Sequence, residues 1–174
     1  MQRVDEIGND EHVRGPADAA LTVIEYADFQ CPYSARAHAV LRGLDARFGG
    51  IRLVYRHLPL AHLHPLAELA SEAAEAAAGQ DRFWQMHDLL YDRQRQIANE
   101  QDLALLAESL DLDIDRFRAD VSERRHHARV QADAERAHHD GASGTPTFYI
   151  NGVRYRGDSD RTSLERAFSE ALGR

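Results

Sequence analysis

Between Leu21 and Asp28 the chain runs Leu-Thr-Val-Ile-Glu-Tyr-Ala-Asp, apolar and β-branched with Glu25 as the one charged interior position. That composition predicts a buried strand. Pro32 then stands where a helix can begin, and Ala35–Phe48 carries apolar residues at helical spacing until Gly49-Gly50 closes it. Ile51–Leu58 returns to the strand pattern and stops at Pro59. Strand, helix and strand joined by short connections predict a right-handed parallel βαβ unit.

The period then changes. Pro65–Ala78, Arg82–Arg93, Asp102–Leu110, Asp113–Val121 and Ser122–His139 each read as helices with caps or breakers at their ends, Gly79 and Gly141 among them. Thr147–Ile150 and Val153–Arg156 flank Asn151-Gly152, a strong hairpin signal. Thr162–Leu172 is expected as a closing helix with Leu164, Ala167, Phe168 and Leu172 on its inner side. No internal repeat or low-complexity linker divides the chain. The expected organisation is therefore one α/β domain, with a βαβ half over 12–59, an all-helical insertion over 60–142 and a ββα half over 143–172.

Length and charge narrow the function. At 174 residues, 43% hydrophobic and 29% charged, the chain can bury a core without disulfide staples. A net charge of −8 argues against nucleic acid or an anionic membrane as partner, since both need a basic face. No apolar run approaches the roughly 18 residues of a membrane span, so no membrane insertion is expected. The first twenty residues lack the apolar core of a signal peptide, so the chain as given is expected to be cytoplasmic. A periplasmic or other extracytoplasmic place would apply to a processed or truncated domain. Every cation is arginine, and the absence of lysine excludes Schiff-base and pyridoxal chemistry. A single cysteine excludes an internal disulfide, a cysteine zinc finger and an iron–sulfur cluster.

That cysteine lies in Phe29-Gln-Cys-Pro-Tyr-Ser34, between the end of one strand and the start of a helix. Unpaired backbone N–H groups and the helix dipole at such a position favour the thiolate. The crevice beyond the strand ends is also where open α/β sheets bind ligands. A second motif, Gly144-Thr-Pro-Thr-Phe148, leads directly into the hairpin.

Together with Glu25, Tyr55-Arg-His-Leu-Pro59 and Gly144-Thr-Pro-Thr-Phe-Tyr-Ile-Asn-Gly152, these segments resemble the DsbA-like thiol–disulfide oxidoreductases over about residues 12 to 172. The resemblance implies a thioredoxin-like fold with a helical insertion. It further implies Cys31 as nucleophile and Glu25 as the acidic residue beneath it that helps move protons. Pro32, Tyr33, Thr145 and Pro146 become the substrate-binding surface, with Thr145-Pro146 as a cis-proline segment that offers backbone groups to an extended peptide.

The family usually has a second cysteine where this chain has Ser34. A serine cannot resolve a mixed disulfide, although its hydroxyl can donate a hydrogen bond to the Cys31 thiolate. The expected activity is accordingly a monothiol one on protein or peptide thiols and disulfides. No cofactor is expected beyond glutathione or another low-molecular-weight thiol as co-substrate. Two alternatives stand beside it: a glutathione-dependent isomerase or transferase of the kappa-class type, which Pro32-Tyr33-Ser34 would suit, and a non-catalytic peptide-binding module.

The ten histidines suggest no metal site. His127 and His138 share a predicted helix face but stand about 16 Å apart at 1.5 Å per residue. His62 and His64 lack a partner carboxylate, and His57 and His62 are expected in the core or on the loop after the second strand. Trp84 and Met86 read as core, and Arg124-Arg125 as a solvated face.

Overall fold

The computed structural model describes residues 4, 7–8 and 10–174. The two apolar runs form the centre of a sheet, Thr22–Ala27 (β2) pairing in parallel with Arg52–His57 (β3), so that Glu25 lies beside Tyr55 and Ala27 beside His57. Pro32–Asp45 (α1) makes the crossover between them. Thr147–Ile150 (β4) adds antiparallel to β2, and Val153–Arg154 (β5) returns from it. Asn151 and Gly152 both have positive φ, 45° and 78°, as the tight hairpin turn requires. A short strand absent from the expected elements, His12–Arg14 (β1), pairs antiparallel with β3 and completes the order β1-β3-β2-β4-β5.

One face of the sheet presents Val23, Leu53, Phe148 and Ile150 to α1 and to Arg161–Ala171 (α7). Towards the strand ends the same face carries Ala27 and Tyr55, which pack with Phe29 into the insertion. The insertion consists of Ala67–Ala78 (α2), Phe83–Asp92 (α3), Glu100–Ser109 (α4), Ile114–Ser122 (α5) and His127–His139 (α6). Helix α2 is buried nearly all round, and alanines at 70, 73, 74, 76 and 77 allow its neighbours close approach. Helix α6 covers the other face of the sheet, where Ala137 meets Ile24, Tyr26, Val54 and Tyr149.

Several expected boundaries shift by two or three residues, with β5 ending at Arg154 and α2 starting at Ala67, and two further differences have a visible cause. Helix α4 starts at Glu100, because Asn99 and Asp102 form a reciprocal capping box. The helix expected over Ser122–His139 is broken into the end of α5 and α6 by Arg124 at φ 51°. The guanidinium of Arg124 offsets the unfavourable backbone by bonding to Glu72 (2.5 Å) and Glu68 (3.0 Å) of α2. Arg124 thus carries a tertiary tie rather than only a solvated charge. No helix among the described residues is long and apolar enough to cross a membrane.

Candidate active site

Strand β2 ends at Ala27, and the chain turns through Asp28–Gln30 before α1. Asp28 fixes this turn. Its buried carboxylate accepts hydrogen bonds from Gln30 N (2.7 Å), Leu60 N (2.9 Å) and His64 Nδ1 (2.7 Å), joining the turn to the loop after β3. Cys31 is the residue that precedes the first helical turn of α1, and Pro32 occupies the first helical position, where a missing N–H is harmless. The carbonyls of Phe29 and Cys31 both accept from the Gln94 side-chain amide, at 2.8 and 3.0 Å. The cysteine is therefore held from below by α1 and from the side by the loop after α3.

The Cys31 side chain is buried at 4% exposure, and its Sγ lies 3.3 Å from the Thr145 carbonyl oxygen, to which it donates. The two motifs, 114 residues apart in sequence, thus meet at one sulfur. The Thr145–Pro146 bond is cis. Thr147 Oγ1 closes the same loop by donating to Gly144 O. Ser34 is fully buried on the inner side of α1, and its Oγ accepts from Asp28 N at 3.4 Å. Ser34 thus sits one turn behind the cysteine and bonds to the turn rather than to Cys31 Sγ, whose hydrogen-bond partner is Thr145 O.

Beneath the site Glu25 is fully buried, between Tyr55 on β3 and Phe148 on β4, and neither of its carboxylate oxygens has a hydrogen-bond partner among the described residues. Burial without a partner pushes its carboxyl up to about 8, so Glu25 holds a proton at neutral pH. The phenols of Tyr55 and Tyr91, 3.3 Å apart, are buried beside it and pushed well above the usual range, chiefly by desolvation. Tyr33, in contrast, projects from α1 at 58% exposure.

The structure brings Cys31 to Thr145 and the neighbouring Pro146, with Ser34 in the first turn of α1, Glu25 buried on β2 next to β4, and Pro32 and Tyr33 lining the adjacent grooves. No sequence pattern marks Asp28 or Gln94 for the site, and the expectation that His64 lacks a partner carboxylate is overturned by Asp28, because each of these contacts spans 32 to 65 residues. His64 serves Asp28, while His62 is exposed and His57 is fully buried.

Among the described residues two groups of side chains could hold a metal ion, and both escape a reading by local spacing. His12 Nε2 and His57 Nε2 each lie 2.7 Å from Glu75 Oε1, and His38, His87 and Asp88 form a second group. In the second, His87 Nδ1 is 2.9 Å and His38 Nε2 3.7 Å from Asp88 Oδ1, while Arg14 occupies the other Asp88 oxygen.

The sequence model of the family described as thioredoxin matches residues 8–170. Among curated proteins the chain is 47% identical over 162 residues to the Na(+)/H(+) antiporter NhaA 3 of Salinispora tropica, covering 93% of this chain and 25% of that protein. It is 44% identical over 155 residues to the Na(+)/H(+) antiporter NhaA of Herminiimonas arsenicoxydans, covering 88% and 24%. The chain thus spans about a quarter of the length of the curated relatives it matches. Among solved structures it resembles a thioredoxin-like oxidoreductase from Silicibacter pomeroyi, with a TM-score of 0.80, 27% identity, and 96% and 95% of the two chains covered. It shares its fold with BdbD from Bacillus subtilis, with a TM-score of 0.80, 19% identity and 94% of each chain covered.

Proposed function

The chain belongs to the thioredoxin family and has the fold of its DsbA-like members, and on that footing we propose that it is a monothiol thiol–disulfide oxidoreductase. The observation that carries this reading is the meeting of Cys31 Sγ with Thr145 O at 3.3 Å, at the head of α1 and above the buried acid Glu25. Cys31 gives up the proton it donates to Thr145 O and attacks one sulfur of a substrate disulfide as the thiolate. The S–S bond breaks, and the other sulfur leaves as a thiolate and takes up a proton, so that the proton count is unchanged. Glu25 holds a proton at neutral pH and is the group below the site that can exchange it. An extended substrate segment would pair with the Thr145 backbone as an added strand. The Ser34 hydroxyl cannot attack the resulting mixed disulfide, so release falls to an external thiol, protein-borne or of low molecular weight such as glutathione.

The test is intact mass after exposure to glutathione disulfide. A single glutathionyl adduct that glutathione removes, and that is absent from Cys31→Ser, is expected. A protein that stays unmodified under conditions that modify a free thiol peptide would overturn the assignment.

A second reading concerns the partner and rests on the names of the relatives. The identity of 47% to a Na(+)/H(+) antiporter favours a transporter polypeptide as the physical neighbour of this domain. Co-purification of the domain with such an antiporter, and a mixed disulfide between them through Cys31, is the expected result. An antiporter whose transport and thiol state are indifferent to the domain would dismiss it.

A further inference from the structure

Along the side of α1 away from Thr145 runs a groove of about 580 Å³, walled by the first turns of α1 and by the end of α3 with the turn that follows it, residues 91–96. Its contents are unusual for a chain with net charge −8. Arg36, Arg93 and Arg95 line it, all exposed. The one carboxylate in the lining, Asp92, is already taken by Arg42 at 3.2 and 3.3 Å. Arg36 lies over the Tyr33 ring, 4.6 Å from its centre, and Arg93 donates to the neutral Gln96 Oε1, its one bonding partner among the described residues. Neither Arg36 nor Arg95 faces a carboxylate among the described residues. The groove therefore carries three guanidiniums against one carboxylate, and none of the three is paired with a carboxylate among the described residues.

Its position ties it to the nucleophile. Gln94, which lines the groove, donates to the carbonyl of Cys31 at 3.0 Å. Tyr33 is the ridge between this groove and a second one of about 370 Å³ that holds Thr145, Pro146, Arg154 and Arg156. A disulfide brought to Cys31 across Tyr33 would lay its flanking atoms among Arg36, Arg93 and Arg95. Guanidinium groups pair with carboxylates by charge-assisted bonds, and a concave arginine surface raises the local concentration of anions.

We propose that this groove selects disulfides flanked by carboxylates, on an acidic protein segment or on an acidic low-molecular-weight thiol. The proposal rests on Cys31 being the nucleophile and names the charge class of its substrate. The exchange itself needs no further reagent: the Cys31 thiolate pair makes the new S–S bond, the substrate S–S bond breaks, and the departing sulfur carries away the electrons as a thiolate.

Three small disulfides test it on the intact chain: dianionic dithiobis(nitrobenzoate), neutral dithiodipyridine and dicationic cystamine, each at about 0.02 M and about 0.5 M salt. Despite the net charge of −8, the anion is expected to outpace the cation by about tenfold after normalisation to a free thiol peptide, and salt should erase most of that difference. Arg36→Gln with Arg93→Gln and Arg95→Gln should abolish the preference while leaving the neutral rate unchanged. Arg154→Gln with Arg156→Gln should leave most of it. A cation preferred over the anion, or a preference untouched by the triple substitution or lost only with Arg154 and Arg156, overturns the groove assignment. No reaction even with the neutral disulfide would instead overturn Cys31 as nucleophile, and the groove proposal with it. Glutathione disulfide against a peptide disulfide with aspartates beside its cysteine then separates the two sources, the faster under equal conditions naming the substrate.

Discussion

Two residues decide what the site can do. Glu25 has no hydrogen-bond partner among the described residues and is raised from the ordinary 4.5 to about 8 by burial. Between those values the folded protein keeps a proton that the unfolded chain releases, so stability falls as pH rises through the window. Glu25→Gln should remove this slope and make the protein more stable than wild type by on the order of a few kcal/mol at about pH 8, with little difference below about pH 4.5. Urea unfolding at the two pH values measures it; a variant that follows wild type at both would mean that Glu25 is hydrated. Ser34 limits turnover in another way. It occupies the fully buried inner side of the first turn, three residues after Cys31. Ser34→Cys should therefore supply a resolving thiol, form an internal disulfide with Cys31, and raise protein-disulfide reduction by more than about tenfold, since an intramolecular thiol has a large proximity advantage. Absence of that disulfide under oxidising conditions would show that the two positions do not face each other.

At the scale of elements, the site depends on connections that hold the head of α1. Gln94, on the turn after α3, serves the Phe29 and Cys31 carbonyls together. Gln94→Ala should lower stability by about 1–3 kcal/mol, because it leaves two largely enclosed carbonyls without a donor. It should also alter the rate at which Cys31 reacts with a neutral disulfide. Unchanged values in both measurements would make the amide incidental. The contrast with what could be read in the sequence is physical. The strands around Glu25 and Tyr55, the Pro32 helix start and the Asn151-Gly152 turn are encoded by neighbours, and so is Cys31 at a strand-to-helix junction. Strand β1 is three half-buried residues with one apolar side chain, and it exists because β3 offers an edge. The break at Arg124 is set by Glu68 and Glu72 on another helix, and the periodicity of Ser122–His139 gives no sign of it. Gln94, Asp28 and His64 escaped for the same reason: each is polar, locally unremarkable and recruited across tens of residues. The histidine clusters illustrate it best, since His12, His57 and Glu75 come from three separate elements.

For the molecule as a whole, the buried titratable groups predict the shape of stability against pH. His87 is fully buried, chiefly desolvated, and lowered from 6.5 to about 3, and His38 is lowered in the same direction by burial. As pH falls from 6.5 towards 3, the unfolded chain binds protons that the folded histidines refuse, so stability is lost on the acid side. Asp88 and Glu75 add to this. Burial opposes their ionisation, but bonds from His87 and Arg14 and from His12 and His57 hold both carboxyls below the ordinary range, and protonating them near the foot of the acid limb costs further stability. Glu25 acts on the opposite side, where stability declines from 4.5 to about 8. The rising histidine contribution and the falling Glu25 contribution overlap between 4.5 and 6.5 and largely cancel there. The expected profile is a plateau across that interval with losses on both sides, each limb changing by about 1.4 kcal/mol per pH unit for one proton. Unfolding free energies across about pH 3.5 to 8.5 give the curve. His87→Gln should make the acid limb shallower, with His38, Asp88 and Glu75 still contributing, and Glu25→Gln should flatten the alkaline limb. Each should also tilt the plateau between 4.5 and 6.5, in opposite directions, because the two groups titrate in opposite senses. A single substitution that flattened both limbs, or a wild-type optimum above about pH 8, would contradict the assignment of a protonated Glu25 and a neutral His87 to the native interior.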